Sequence, residues 1–240
     1  MLAYPEHHSP SSIKQWRNAP VIWCLKYLYG WRDGGPKMWR GTAVEHGFAG
    51  YLQGAAFEAA LNIALARYMN EASGEITPEI DECRTLIEPM LKQAITWHQK
   101  TMLSLARTQI KIETYLDGVE RPFIGYVDFA FMDDSDLDTK TTEACPSKPR
   151  PDDVRQIAVY EKARKRRQSL LYITDKKHAL FTPPQEELDA ALQDIIVGAK
   201  SLERFLSVMP DRETALRCLP GNDHFSFNQA ARAKLAEIGA

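Results

Sequence analysis

The chain has 240 residues, and its 30 Lys and Arg against 32 Asp and Glu give a formal net charge of −2, which excludes a uniformly basic nucleic-acid coat but not a local basic groove. With 44% hydrophobic and 26% charged residues it is a globular composition, neither disordered nor collagen-like, and long enough for one sizeable core. The start MLAYPEHHSPSS has no signal-peptide pattern, no apolar run approaches the roughly 18 residues of a membrane span, and Cys24, Cys83, Cys145 and Cys218 form no CxxC pair; we expect a cytoplasmic chain with free thiols, no zinc ribbon and no membrane partner.

In chain order, Ser11 and Ser12 read as the cap of a helix in IKQWRNAPVIWCLKYLYGW, broken at Pro20 into two short helices. RDGGPK is a loop. The Ala- and Leu-rich run from Thr42 to about Tyr68 predicts one long helix, and residues 77–106 predict another that Pro89 kinks or divides. The texture then changes. TQIKIETYL (108–116) alternates as a strand does, FIGYVDFAFM (123–132) is aromatic and β-branched, and LDTKTTEA is a third strand after the acidic tip DDSD. VRQIAVYEKARKRR (154–167) is helical, SLLYIT (169–174) is a buried strand with DKKH as its turn, a long helix covers Gln185 to Val208, and a short one spans about Asn228 to Ile238. Helices, an antiparallel meander, a crossover helix and a returning strand predict one α/β domain over 1–240. Its parts are a mainly helical cap (1–107), a central mixed β-sheet with one helix (108–175) and a helical C-terminal part (176–240).

The chemistry concentrates in FIGYVDFAFMDDSDLDTKTT. A hairpin centred on Asp133 sets Asp128 opposite Asp138, with Cβ atoms roughly 5 Å apart, a repulsive pairing unless a cation lies between them. Lys140 shares a strand face with Asp138. Two acids able to hold a hard divalent metal, beside one ammonium, suit phosphodiester hydrolysis. Asp133, Asp134 and Asp136 read as an ordinary solvated hairpin tip. Glu113 is a solvated strand residue or an accessory acid. Arg155, Lys162, Arg164, Lys165, Arg166, Arg167, Lys176 and Lys177 form either a solvated face or a set of phosphate contacts, and Trp16, Trp23, Trp31 and Trp39 are core residues or platforms for unpaired bases.

GYVDF, then DTK, then RQIAVY resembles the PD-(D/E)xK nuclease superfamily, in its RecB-like and phage-exonuclease branch, over roughly residues 11–175. The resemblance implies a restriction-endonuclease-like core. It also implies metal ligation by Asp128, Asp138 and the Thr139 carbonyl, with Lys140 assisting the attacking water. SSIKQWRNAPVIWCLKYLYGW is similar to the family's opening segment, whose polar and basic residues, here Ser12 and Arg17, lie near the DNA path. RGTAVEHG resembles the helical element that supplies one more ligand. Glu45 holds the matching position, and a helix step of about 100° points His46 elsewhere. Gln156 and Tyr160 form the Q-x-x-x-Y pattern, implying DNA contact together with the adjoining Arg155. Ala19 stands where iron–sulfur members carry a cysteine, so no Fe–S cluster is expected. The implied activity is a Mg²⁺-dependent DNA exonuclease, with Mn²⁺ as a substitute metal, acting in recombination, repair or phage replication in a bacterial cytoplasm. DNA with free ends is the expected partner, and the resemblance is also compatible with a homo-oligomer or a single-strand annealing partner. An endonuclease or CRISPR-adaptation-type end trimmer, and an inactive DNA-binding recombination protein, are the alternatives.

Overall fold

The computed structural model describes residues 5–32, 34–73, 77–219 and 229–238. Helices α1 (Pro10–Asn18) and α2 (Pro20–Tyr27) part at Pro20 as expected. The cap of α1, however, is Ser9: its side chain accepts from Ser12 N–H while the Ser12 side chain returns the bond to Ser9 N–H. Pro10 and Pro20 each sit in a first helical turn, where a missing N–H costs nothing.

The expected long helix over 42–68 is two helices, α3 (Pro36–Leu52) and α4 (Phe57–Glu71). Gly54 adopts φ +100, and the N–H groups of Gly54 and Ala55 bond back to the carbonyls of Tyr51 and Gly50, so the chain leaves α3 through a glycine-dependent stop. Residues 77–106 also divide, into α5 (Pro78–Thr85) and α6 (Ile87–Thr101), but at Leu86 and not at Pro89, which lies in the first turn of α6. Helix α6 ends at Met102 in the left-handed region, and the next residues enter the sheet.

The sheet follows in the order β1 (Leu105–Thr114), β2 (Phe123–Phe131), β3 (Ser135–Thr141), β4 (Arg167–Ile173) and β5 (His178–Phe181). Strands β1 to β3 form the antiparallel meander. Helix α7 (Pro151–Arg164) carries the chain over to β4, which pairs parallel with β3, and β5 returns antiparallel. Helix α8 (Gln185–Val208) has the expected bounds. Strand β5 and α9 (Arg212–Arg217) were not anticipated, because four and six residues carry too little periodicity. The C-terminal helix is α10 (Gln229–Glu237), and Asn228 of the expected span lies outside the described residues.

Alternation along β4 explains the layers. Leu170 and Tyr172 face a core built with α1, α2, α7 and α8, whereas Leu171 and Ile173 face a second core built with α3 to α6. The sheet is thus covered on both faces, and Trp23 of the four N-terminal tryptophans is fully buried, edge-on to Trp16. No helix of the described residues is long and apolar enough to cross a membrane.

Asp133 and Asp134 are exposed as a solvated tip would be, but Asp136 departs from that reading. Asp136 is 1% exposed and clamped by Arg164 (2.6 Å), Arg166 (3.0 Å) and Gln168 (2.9 Å), while Arg167 pairs with Asp133 at 2.8 Å. Arg164 and Arg166 are thus not a free solvated face but are paired within the protein. They close the end of α7 and the start of β4 onto the β2–β3 hairpin.

The segment before α1 is pinned in a similar way. His8 pairs with Phe123 as an extra bridge on β2 and its Nε2 lies 2.9 Å from Glu203, which also accepts from the backbone N–H groups of Glu120 and Arg121. Burial holds the His8 pKa below the ordinary histidine value, outweighing the opposing pull of Glu203. The folded state therefore favours neutral His8. As pH falls below the ordinary value of about 6.5 the unfolded chain gains a proton that the folded chain resists, so stability is lost on acidification. The drop in urea midpoint between about pH 7.5 and about pH 5.5 should be smaller in His8→Gln than in the wild type; equal drops would contradict this assignment.

Candidate active site

Antiparallel pairing between β2 and β3 follows the expected register, with Phe129 opposite Leu137 and Ala130 opposite Asp136. The next position in that register brings Asp128 to Asp138, and there the ladder stops. Thr139 N–H donates to Asp128 Oδ2 at 2.8 Å, and the Thr139 hydroxyl donates to the same oxygen at 3.1 Å. A carboxylate has taken the place of a strand partner, and β3 leans toward β4, with which it pairs from Ser135 to Thr141.

The second acid is held by two groups. Asp138 is 1% exposed; its Oδ1 accepts from Gln156 Nε2 at 2.9 Å and its Oδ2 lies 2.6 Å from Lys140 Nζ. Lys140 Nζ in turn donates to Gln156 Oε1 at 2.9 Å. Burial alone would lower the lysine pKa, but the carboxylates of Asp138, Asp153 and Asp128 outweigh it and raise the net value, so the ammonium stays charged. Asp153, in the first turn of α7, had no sequence signal beyond its helix position; it also accepts from Tyr172 OH at 2.6 Å.

Glu45, on the inner side of α3, completes the acidic set. Its pKa is pushed up to about 7, first by burial and then by Asp138. Burial, Asp138 and Glu45 raise Asp128 well above the carboxylate range, and burial raises Asp138 against the opposing pull of Lys140. His46, the next residue of α3, is exposed, has Arg67 and Glu71 as its charged neighbours, and lines the same opening as Glu45 and Asp128. Gln109 was missed by sequence reasoning: its Nε2 donates to Glu45 Oε1.

The other expected site residues divide. Gln156 and Tyr160 share a face of α7, but they lie against the carboxylates and not on an outer surface. Gln156 Nε2 also donates to Tyr160 OH at 2.8 Å, and Tyr160 is 3% exposed. A Cβ at Gly125 would lie 2.7 Å from Tyr160 Cε1, which explains the glycine in GYVDF. Ser12 is buried in the α1 cap. Arg17 bonds to the Asp194 carbonyl, and Arg155 is paired with Asp152 at 2.8 Å and Asp194 at 2.6 Å. Glu113 stands beside Lys111 at 3.5 Å on the exposed part of β1. Two openings flank the acids. One, of about 410 Å³, is lined by Ser11, Lys14, Lys37, Lys140, Arg150 and Gln156 among others; the other, of about 250 Å³, is lined by Glu45, Gln109 and Asp128.

The donor set suits a hard divalent cation in its chemistry. It consists of oxygens, the acids repel one another, and Asp138 Oδ2 is buried with no hydrogen bond of ordinary angle, only the Lys140 ion pair. Among the described residues no three acidic, histidine or cysteine side chains form a ready-made metal cage; the carboxylates are instead turned to Thr139, Gln109, Gln156 and Lys140. Metal-free protein thus meets this repulsion only by proton uptake and the Lys140 charge, both at a cost in stability. Asp128→Asn, which keeps an oxygen for Thr139, should raise its stability by about 1 kcal/mol in urea unfolding without metal; a loss of stability would show that the repulsion is already compensated.

No protein-family model matches the sequence, and no curated protein does. Solved structures do. A crystal structure from Eubacterium rectale described as "Putative exonuclease" superposes with a TM-score of 0.58 at 14% identity, covering 95% of this chain and 88% of that one. The alkaline exonuclease LHK-Exo from Laribacter hongkongensis aligns over 70% of this chain and 97% of its own at 12% identity, with a TM-score of 0.30. The first of these likenesses, together with the strand order, establishes that this chain has an α/β nuclease-like fold.

Proposed function

We propose that the protein is a Mg²⁺-dependent DNA nuclease, acting as an exonuclease on free ends in recombination, repair or phage replication. One observation carries the reading: Asp128, Asp138 and Glu45 are gathered with a charged Lys140 where β2 and β3 part, and Gln156 ties Asp138 and Lys140 together. Asp128, Asp138, Glu45 and the Thr139 carbonyl are the residues that would hold the cation. The chemistry supplied by bound Mg²⁺ is polarisation of a phosphodiester oxygen and a lowered pKa for a nearby water.

The protein's own groups do the remaining work. Lys140 is fixed between Asp138 Oδ2 and Gln156 Oε1, so its ammonium is positioned to orient the attacking water and to offset the negative charge that develops on the phosphate. Gln156 and Tyr160 act through Asp138. Lys14, Lys37 and Arg150, drawn from three segments, line the groove with Lys140 and outnumber its acids Asp152 and Asp153, although Lys14 and Lys37 also pair with Asp152 and Glu143; the balance favours a polyanion there. The similarity in fold to one structure described as an exonuclease supports the preference for ends.

The test is incubation of linear and covalently closed circular duplex DNA with Mg²⁺. Wild type should degrade only the linear form. Asp138→Asn and Lys140→Ala should each lower the rate by about 10²-fold or more. Cutting of circles would replace the exonuclease with an endonuclease, and DNA binding without Mg²⁺-dependent loss would overturn the enzyme reading. Mg²⁺ should also raise the thermal midpoint of wild type in a concentration-dependent way, and less so in Asp138→Asn.

A further inference from the structure

Gln109 lies in the middle of β1, yet its φ is +50. The other non-glycine residues with positive φ among those described, Ser73, Met102, Asp134 and Lys165, are at helix ends or at the hairpin tip, where such a conformation terminates an element. A side chain in the left-handed region brings Cβ against its own backbone, and glutamine lacks the short polar side chain that lets asparagine visit it. The residue is not an insertion. Thr108 pairs with Phe129 and Ile110 with Val127, so the same register resumes on either side and only the pair between Gln109 and Asp128 is missing.

That missing pair lies directly opposite the acid on which the site is built. Asp128 therefore sits at a gap in both of its ladders, with Gln109 on one side and Thr139 on the other. The distorted backbone leaves the Gln109 amide on Glu45 Oε1, in the opening that Glu45 and Asp128 share. A regular strand would place an ordinary ladder pair at this point. Among the described residues this amide is the one hydrogen-bond donor to Glu45, and the neighbouring Asp128 and Asp138 repel it.

We infer that Gln109 is a positioning residue, held in a strained backbone conformation so that its amide keeps the Glu45 carboxylate facing Asp128 and Asp138. The inference rests on the functional reading above and adds to it a residue outside every motif of the sequence. The strain is local to a functional opening, which is where such conformations persist when the surroundings enforce them. Partners that orient a ligand carboxylate govern metal affinity without touching the metal.

Two substitutions separate the amide from the backbone. Gln109→Met keeps the length and the strain but removes the donor. Gln109→Asn keeps an amide and suits the left-handed region, but is one methylene too short to reach Glu45. Mn²⁺ affinity is measured by titration calorimetry on metal-free protein, along with kcat and KM on linear DNA and the thermal midpoint without metal. Both variants should bind Mn²⁺ about 10-fold more weakly and lose kcat by about 10-fold, with KM for DNA unchanged. The metal-free midpoint of Gln109→Asn should equal or exceed that of wild type, which a merely structural role would not allow. Mn²⁺ affinity within twofold of wild type in both variants would overturn the inference, since a kink that only guards the exposed edge of β1 leaves metal binding untouched. So would a weakened affinity matched by a lowered midpoint in Gln109→Asn. A wild type that binds no Mn²⁺ and degrades no DNA would overturn the functional reading itself, a result distinct from wild-type activity with unaffected variants.

Discussion

Carboxylates buried side by side repel, and the end of β2 gathers Asp128, Asp138 and Glu45 with Lys140 as a close cation. Much of the local structure follows from holding them there. Asp128 interrupts the ladders on both sides of its strand, Thr139 donates two hydrogen bonds to it, and Gln156 bridges Asp138 to Lys140. Each device satisfies an oxygen that burial would otherwise leave costly. The two hydrophobic cores supply the rigidity: β4 is packed on both faces, and β3 is fastened along β4 where it leaves β2.

Charge is arranged by pairing and not by gradient. Residues 113–138 hold eight acids and one base, and residues 161–177 hold seven bases and two acids, which along the sequence looks like an acidic centre beside a basic guide for DNA. In three dimensions Arg164, Arg166 and Arg167 neutralise Asp136, Asp134 and Asp133. The buried member of this cluster, Asp136, ties the crossover helix to the hairpin. The positive charge beside Lys140 comes from Lys14, Lys37 and Arg150, which a window along the chain does not group.

The hairpin register was legible because side chains alternate strictly along a strand and the turn fixes the offset; that put Asp128 at Asp138 and Lys140 on the same side. The α7 pair Gln156 and Tyr160 was legible as one helical face, but its role was not. Whether an i, i+4 pair looks outward or onto a carboxylate depends on what the helix packs against, and here Gly125 gives Tyr160 room to lie on the sheet. The division of residues 42–68 was hidden for a related reason. Ala and Leu favour helix throughout, and one glycine among three in the run takes the left-handed conformation that stops it.

By itself, then, the sequence determined the elements whose periodicity is long and regular, the order of the strands in the meander, and the acids and lysine that meet at its end. Those properties depend on spacing along a single segment. Tertiary structure decided which polar groups have partners: that Arg17 and Arg155 are tied to Asp194, that three arginines close on the hairpin tip, and that Gln109 reaches Glu45. Such pairings join residues far apart in the chain, and their strength depends on burial, which no local pattern encodes.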